Sequence, residues 1–359
     1  MLEITHMALT TPSLFHFGRR GIGLNETEVT MSADTLFSAF CYAYSLLNGA
    51  SGLESLLARF PTAEQTSTPP FRLTSLMPRV GTLDLLPMPQ LHANLPTNKH
   101  ILEARKQFKD IKWVSEAIFQ PLVQGHSLGD SLEFVDKDQK PYTLQNGAVW
   151  VTQEQLAQLG GEKRLLWHIQ TRPRVTVDRV TSKAAAYSSG SIRFAADVTL
   201  YCLIRWDDAD QELRKNVESA FRALGDEGIG GERSYGHGHF VPTPTPYYGN
   251  LGAPQGDYFT TLSPYLPQKS EQEVFQGAVR YEISLRRGWI SATGYSNLRR
   301  PTVRMVETGA VLATPAGAEP IGCLADATPE MIRSEITIYR YGLAWPVIVT
   351  KSAAEGEER

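Results

Sequence analysis

Between Gly228 and Gly238 the chain reads GIGGERSYGHG, with glycines at 228, 230, 231, 236 and 238 around Arg233, Ser234 and Tyr235. Glycine at this density lets backbone N–H groups turn towards a bound anion, or lets a backbone lie unusually close to a ligand. Arg233, Ser234 and Tyr235 add a charge, a hydroxyl and a stacking face, a set that suits the backbone and bases of RNA. Two nucleotide-binding patterns fail here. A dinucleotide G-x-G-x-x-G starting at Gly228 meets Arg233, and a P-loop starting at Gly231 meets His237 where lysine is needed. The same glycines would also serve a tight helix-to-strand crossover with no ligand.

His16 stands in a second glycine-rich loop, beside Arg19 and Arg20. An imidazole there could act as general base or acid against a ribose 2′-hydroxyl, or could bind or pack without catalysis. His237 and His239, two residues apart, fall on one face of an expected strand, but no third ligand is identifiable and no metal site is expected. Asp207, Asp208 and Asp210 read as a helix start. Cys41, Cys202 and Cys323 are far apart, against a disulfide framework or a cysteine-built zinc site. No cofactor is implied.

The formal net charge of −3 over 359 residues excludes a histone-like basic protein but hides an asymmetry. Arg172, Arg174, Arg179, Lys183 and Arg193 stand against Asp178 alone, a net of +4. Arg280, Arg286, Arg287, Arg299, Arg300 and Arg304 stand against Glu282, a net of +5. Lys99, Arg105, Lys106, Lys109 and Lys112 stand against Glu103 and Asp110, a net of +3. Three segments thus hold +12 and the rest of the chain −15, which suits local phosphate contacts on an otherwise acidic molecule. Hydrophobic residues make up 42% and charged residues 20%, ordinary for a globular chain. The opening residues lack the basic and apolar regions of a signal peptide, and no run approaches a membrane span, so a cytoplasmic protein without membrane association is expected.

These residues need elements to hold them. Leu2–Leu14 alternates as a strand. A helix follows from Ser32 as its cap and Asp34 at its positive end, with Leu36, Phe37, Phe40, Tyr44 and Leu47 on one face and Asn48-Gly49 as its stop. Residues 61–100 read as irregular, Phe108–Phe119 as helical, and Leu165–Val180 as an arginine-bearing strand. Val198–Trp206 is a buried strand, and Asp207–Leu224 an amphipathic helix ending at Gly225. The proline-rich VPTPTPYYGN after Phe240 reads as a linker. The order is β-α-β…β-α-β. The expected fold class is therefore α+β, with two ferredoxin-like (RRM-like) units. The first covers residues 1–240, with an insertion at about 61–165 and the glycine-rich loop at 225–240; the second, at 250–359, is degenerate.

The loop Gly228-Ile229-Gly230-Gly231-Glu232-Arg233-Ser234-Tyr235-Gly236-His237-Gly238 resembles the G-x-G-x-x-S-x-G-x-G loop of the RAMP superfamily of CRISPR-associated proteins. His16-Phe17-Gly18 and Ser32-Ala33-Asp34-Thr35-Leu36-Phe37-Ser38-Ala39 resemble one branch, the type III-A Csm subunit that holds the 5′ end of the guide RNA. Residues Arg172 to Arg179 resemble its basic hairpin, and Tyr339-Arg340-Tyr341-Gly342 its C-terminal strand. The resemblance runs in patches from about residue 2 to residue 347, and 61–165 shows no match. It implies a non-catalytic subunit that grips the crRNA 5′ handle, docks on a large polymerase/cyclase-like subunit and starts a row of backbone RAMP subunits in a hetero-oligomeric complex. RNA contacts would come from His16, Arg19, Arg172, Arg174, Asp178, Arg179, Lys183, Arg193, Gly228, Gly230, Gly231, Arg233, Ser234, Tyr235, Gly236 and Gly238. Asp178 would either accept from a base or 2′-hydroxyl or orient Arg179. The alternative is a second branch, the metal-independent crRNA-processing endoribonucleases, with His16 as the catalytic candidate. Those enzymes usually carry the glycine-rich loop near the C-terminus, whereas about 120 residues follow it here.

Overall fold

The computed structural model describes residues 3–18, 25–91, 107–129, 131–249, 251, 256–277, 279–290, 294–295, 297–315 and 318–355. Arg19, Arg20, Lys99, Arg105 and Lys106 lie outside them. The architecture is mixed α+β, built on a nine-stranded sheet. Its four principal strands are β1 (Glu3–Thr10), β2 (Met77–Val80), β3 (Val198–Trp206) and β4 (Val241–Pro246), in the spatial order β4-β1-β3-β2. Each neighbouring pair among the four is antiparallel. Two helices follow β1 and β3: α1 (Ala33–Leu57) and α2 (Gln211–Glu227).

The strand Val198–Trp206 has the bounds its sequence implies, because VTLYCLIRW is apolar on both faces and both faces are covered. Helix α2 is capped by Asp210, whose side chain accepts from the Leu213 N–H at 2.8 Å, and it buries Leu213, Val217, Ala220, Phe221 and Leu224. It runs to Glu227, two residues beyond the expected stop at Gly225, and ends where Gly228 adopts φ 79°. Helix α1 breaks at Gly49 (φ 73°) but resumes to Leu57. Ser32 does not cap it through its side chain; its hydroxyl donates instead to Asp34 at 2.5 Å, while Ser75 Oγ accepts from the Ala33 N–H at 3.1 Å.

Three expectations for the connecting segments change. Residues 71–80 are not irregular or inserted: Phe71–Leu73 and Met77–Val80 both pair with β3 in the main sheet. These residues are almost all buried, so they show no inside–outside alternation to read. VPTPTP is not a linker but β4, the edge strand beside β1. Its prolines, Pro242, Pro244 and Pro246, fall at alternate positions, so all three missing N–H groups lie on the same side, where an open edge tolerates them. The stretch Phe108–Phe119 is divided by the strand Trp113–Ser115, and a helix then spans Glu116–Val123. Beyond β2 the sheet continues through Leu83–Pro87, Trp113–Ser115, Val149–Trp150 and Thr143–Leu144.

From Tyr258 onwards the described chain forms one three-stranded and two two-stranded sheets joined by 3-10 turns. This half does not stand apart. Leu324, Tyr341 and Leu343 enter the same core cluster as Phe37, Phe40 and Phe71, and Trp345 and Val347 pack with Tyr201 and Leu203 of β3. Two buried ion clusters pin the halves together. Asp34, fully buried at the start of α1, takes Arg340 at 3.0 Å and Arg286 at 3.2 Å. Asp207 and Glu319 together hold Arg72 and Arg205. Burial raises the Asp207 pKa above its ordinary value, whereas hydrogen bonds and charge from Arg205 and Arg72 overcome burial at Glu319 and lower it. Asp207 is thus a cross-chain clamp rather than part of a helix start.

Candidate nucleic-acid interface

A long hairpin, Trp167–Val177 against Ala184–Phe194, carries the basic segment. Its register sets His168 opposite Arg193, Gln170 opposite Ser191, Arg172 opposite Ser189 and Arg174 opposite Tyr187. Directly opposed residues share a face, so one side is polar and basic. The other presents Ile169, Pro173, Val175 and Val177, all exposed. The sequence reading reached only the arginines of this pattern, because the pairing partner and its register lie across a turn.

The turn at the hairpin tip assigns Asp178. Its Oδ1 accepts from the N–H groups of Val180 at 2.7 Å and Thr181 at 3.0 Å. Those backbone bonds, Thr181 first and then Val180, hold its carboxyl below the usual aspartate range. Asp178 therefore shapes the turn. Arg179 and Lys183 stand exposed on either side of it.

The glycine-rich loop is clamped from below. The N–H of Gly231 donates to His16 O, that of Gly238 to Leu14 O, both at 2.8 Å, and that of Ile229 to Gly238 O at 3.0 Å. A Cβ on Gly230 (φ 86°) would lie 2.4 Å from His16 O, and one on Gly231 would lie 2.7 Å from the His16 ring. Gly238 (φ 86°) and Gly228 (φ 79°) are equally closed, against Ile229 and His237 backbone. Gly236 (φ 79°) faces open space. Three of the five glycines thus answer to the protein's own backbone, Gly231 to the His16 ring, and Gly236 to the solvent side.

His16 is the centre of that clamp. It is 4% exposed, and its Nδ1 lies 2.7 Å from the Gly190 carbonyl of the hairpin. A carbonyl only accepts, so Nδ1 carries a proton and the ring is pinned between hairpin and loop. The ring thus packs between the hairpin and the glycine-rich loop.

Above the clamp, Arg233, Ser234 and Tyr235 form an exposed 3-10 turn. Arg174 bridges to it twice, through Glu232 at 2.9 Å and by stacking its guanidinium 4.1 Å from the Tyr235 ring centre. Glu232 takes a left-handed φ of 62° to do so. Tyr235 remains 64% exposed. Between this turn, the hairpin and residues 10–14 lies a groove of about 770 Å³, lined among others by Arg172, Arg174, Arg193, Tyr235 and His237. Glu232 and His237 are residues beside Arg174 to which the sequence reading assigned no RNA contact. His237 and His239 lie before β4, not on it. His237 is 7% exposed, and burial, then the charge of Arg174, lowers its pKa.

The described residues of the other basic segments do not line this groove. Arg286 is buried against Asp34, Glu307 and Ser32, and Arg300 donates to Ser38 of α1 at 3.0 Å. Burial, then repulsion from Arg340, drops the Arg300 pKa to about 10. Part of the +5 segment therefore serves the interior. Arg299 is exposed and stacks on Trp289 at 4.6 Å. Among the described residues no group of acidic, histidine and cysteine side chains could hold a metal ion, and no helix is long and apolar enough to cross a membrane.

Residues 254–349 match the family model of the CRISPR Csm4 C-terminal domain. The chain is 25% identical over 317 residues to the CRISPR system protein Csm4 of Thermococcus onnurineus, covering 88% of this chain and 90% of that one. It is 24% identical to Csm4 of Methanocaldococcus jannaschii over 64% of this chain, and spans 62% of that relative. In fold it matches a chain of the Csm3-Csm4 subcomplex of a type III-A CRISPR-Cas interference complex, with a TM-score of 0.66 at 17% identity and coverage of 96% and 98%. A chain of the Csm1-Csm4 cassette with cA4 matches at 0.57, with 18% identity and coverage of 97% and 98%. The class the chain is similar to is that of RAMP-superfamily CRISPR proteins. Within it, the chain resembles Csm4 of the type III-A Csm complex.

Proposed function

We propose that this chain is a non-catalytic RNA-binding scaffold subunit of a type III-A effector complex, gripping the crRNA 5′ handle in the groove between hairpin and glycine-rich loop. One observation carries the reading: three arginines and a stacking tyrosine converge on a single open groove, held by a loop whose glycines are clamped to the protein. Arg172 and Arg193 neutralise phosphates, Tyr235 stacks on a splayed base, and Arg174 steadies Tyr235. Arg179, Lys183 and Arg233 extend the basic path from the hairpin tip and the loop. Gly236 lets the RNA backbone approach. His16, Asp178, Gly228, Gly230, Gly231 and Gly238 contribute by shaping the surface. Ser234 offers a hydroxyl from the same turn.

The strand order β4-β1-β3-β2 with α1 and α2 supports reading residues 3–246 as one ferredoxin-like unit with an insertion between β2 and β3. The remainder is read as a degenerate second unit. By analogy with the Csm1-Csm4 and Csm3-Csm4 assemblies, the partners are a large cyclase-like subunit and a backbone RAMP subunit. The protein works in the cytoplasm. The test is binding of repeat-derived RNA in EDTA. Binding without cleavage, weakening steeply with salt, supports the reading. Specific cleavage lost in His16→Ala, or affinity unchanged in Arg172→Ala/Arg193→Ala, overturns it.

A further inference from the structure

The interior accounts for only part of the positive charge between Arg280 and Arg304. The strands Ile283–Arg286 and Val303–Val306 form a short hairpin with one inward and one outward face. Inward, Arg286 and Met305 are buried, and Arg286, Arg300 and Arg340 gather at the start of α1 with Asp34 and Glu307. Three guanidiniums meet two carboxylates there, so the floor of the hairpin adds positive charge and does not cancel it. Outward, Ile283 and Leu285 are exposed, and Leu285 lies directly opposite an exposed Arg304. Arg287 and Trp289 follow at the next odd positions, also exposed, and a bridge pairs Trp289 with Arg299. Arg299 covers one side of the indole at 4.6 Å, yet Trp289 stays 55% exposed. Among the described residues, none of Arg287, Arg299 and Arg304 has a carboxylate partner. One unpaired surface arginine is ordinary, but three beside an exposed indole and two exposed aliphatic side chains make a cationic, stacking surface.

We propose that the outward face of this hairpin is a second binding site, for single-stranded RNA, separate from the groove. The three arginines meet successive phosphates of one strand, whereas a lone carboxylate would satisfy only one of them. The uncovered side of Trp289 takes an unpaired base, which completes a stack of base, indole and guanidinium. Ile283 and Leu285 give apolar ground for the neighbouring base. Nothing on this face is arranged to read a base edge, so the site tolerates any sequence. None of these residues lines the groove, and the site does not depend on the reading of the groove given above.

The experiment titrates the full chain with an oligouridylate of about ten nucleotides, within the span such sites cover. Of the six tryptophans only Trp289 is exposed, so a base stacked on it is read as quenching of its fluorescence. Arg172→Ala/Arg193→Ala, which disables the groove, is expected to keep both binding and quenching, and Trp289→Phe to remove the quench. In that groove variant, adding Trp289→Ala weakens oligouridylate binding about tenfold. Adding Arg287→Ala/Arg304→Ala, two exposed positions with little risk to folding, lowers the slope of log affinity against log salt by about 1.4. In the otherwise wild-type chain, the same hairpin substitutions leave affinity for repeat-derived guide RNA unchanged. A groove variant that no longer binds or is no longer quenched overturns the second site, as does oligouridylate affinity that neither hairpin variant alters. Guide-RNA affinity lost with the hairpin substitutions also overturns it, by making this face part of the groove's own site. Hairpin variants that bind RNA normally but no longer assemble with the large cyclase-like subunit overturn it too, in favour of a protein interface. Failure of the groove reading shows separately, as guide-RNA affinity that Arg172→Ala/Arg193→Ala leaves unchanged.

Discussion

Gly230 and Gly236 differ only in what surrounds them, and substituting each by alanine separates the two uses of glycine in this loop. Both hold left-handed φ values, 86° and 79°. Alanine in that region costs about 1–2 kcal/mol from its own backbone sterics. At Gly236 nothing lies within 4 Å of the new methyl, so the cost ends there. At Gly230 the methyl would sit 2.4 Å from His16 O and 3.2 Å from the Phe17 ring. The loop must then lift, breaking the 2.8 Å bond from the Gly231 N–H and leaving a buried carbonyl unpaired. That adds about 1–3 kcal/mol. Gly230→Ala should therefore be about 2 kcal/mol less stable than Gly236→Ala in parallel denaturant melts followed by tryptophan fluorescence. With guide RNA the order reverses once stability is allowed for: Gly236→Ala places a methyl on the groove side and weakens binding in the folded protein. Equal destabilisation by the two substitutions would refute the clamp on His16. Undiminished RNA affinity in Gly236→Ala would refute the close approach.

Asp34→Asn leaves Arg286 and Arg340 facing each other across a fully buried site, and should destabilise the protein by about 3–5 kcal/mol in the same melts. Glu64→Gln, which removes an exposed pair with Lys269, should change stability by less than about 1 kcal/mol. Glu319 has a lowered folded-state pKa, so its stabilising contribution is full above its ordinary 4.5 and is lost as pH falls through the lower folded value. In Glu319→Gln the acid limb of a stability–pH curve below about pH 4.5 should flatten, and a limb as steep as wild type would sink that assignment. Tyr235→Ala should cost about 1–3 kcal/mol of RNA affinity while moving the melting temperature little, since the ring is 64% exposed; Tyr235→Trp should restore affinity.

Much of the fold was legible. Val198–Trp206 and the amphipathic helix after it announce themselves by apolar density and by a 3.6-residue stripe, both local signals. Residues 71–80 and 241–246 were not legible as strands. The first are covered on both faces and lack alternation, and the second hide their pairing behind prolines that only an edge position explains. At the site, the glycines, Arg172, Arg174, Arg193 and Tyr235 could be picked out by residue type. The surroundings of Glu232 and His237 could not be read, because both sit beside Arg174, a neighbour distant in sequence.

The sequence alone determined the chemistry on offer: a glycine-dense loop, a basic hairpin and an overall charge of −3 that conceals both. Tertiary structure decided how that chemistry is divided. It sent Arg286 and Arg300 inward to helix α1, made His16 a clamp, and gave the groove to Arg172, Arg174 and Arg193. The physical reason is that a charge or an imidazole takes its role from burial and from the partners within about 4 Å, and those are set by contacts between residues far apart in the chain.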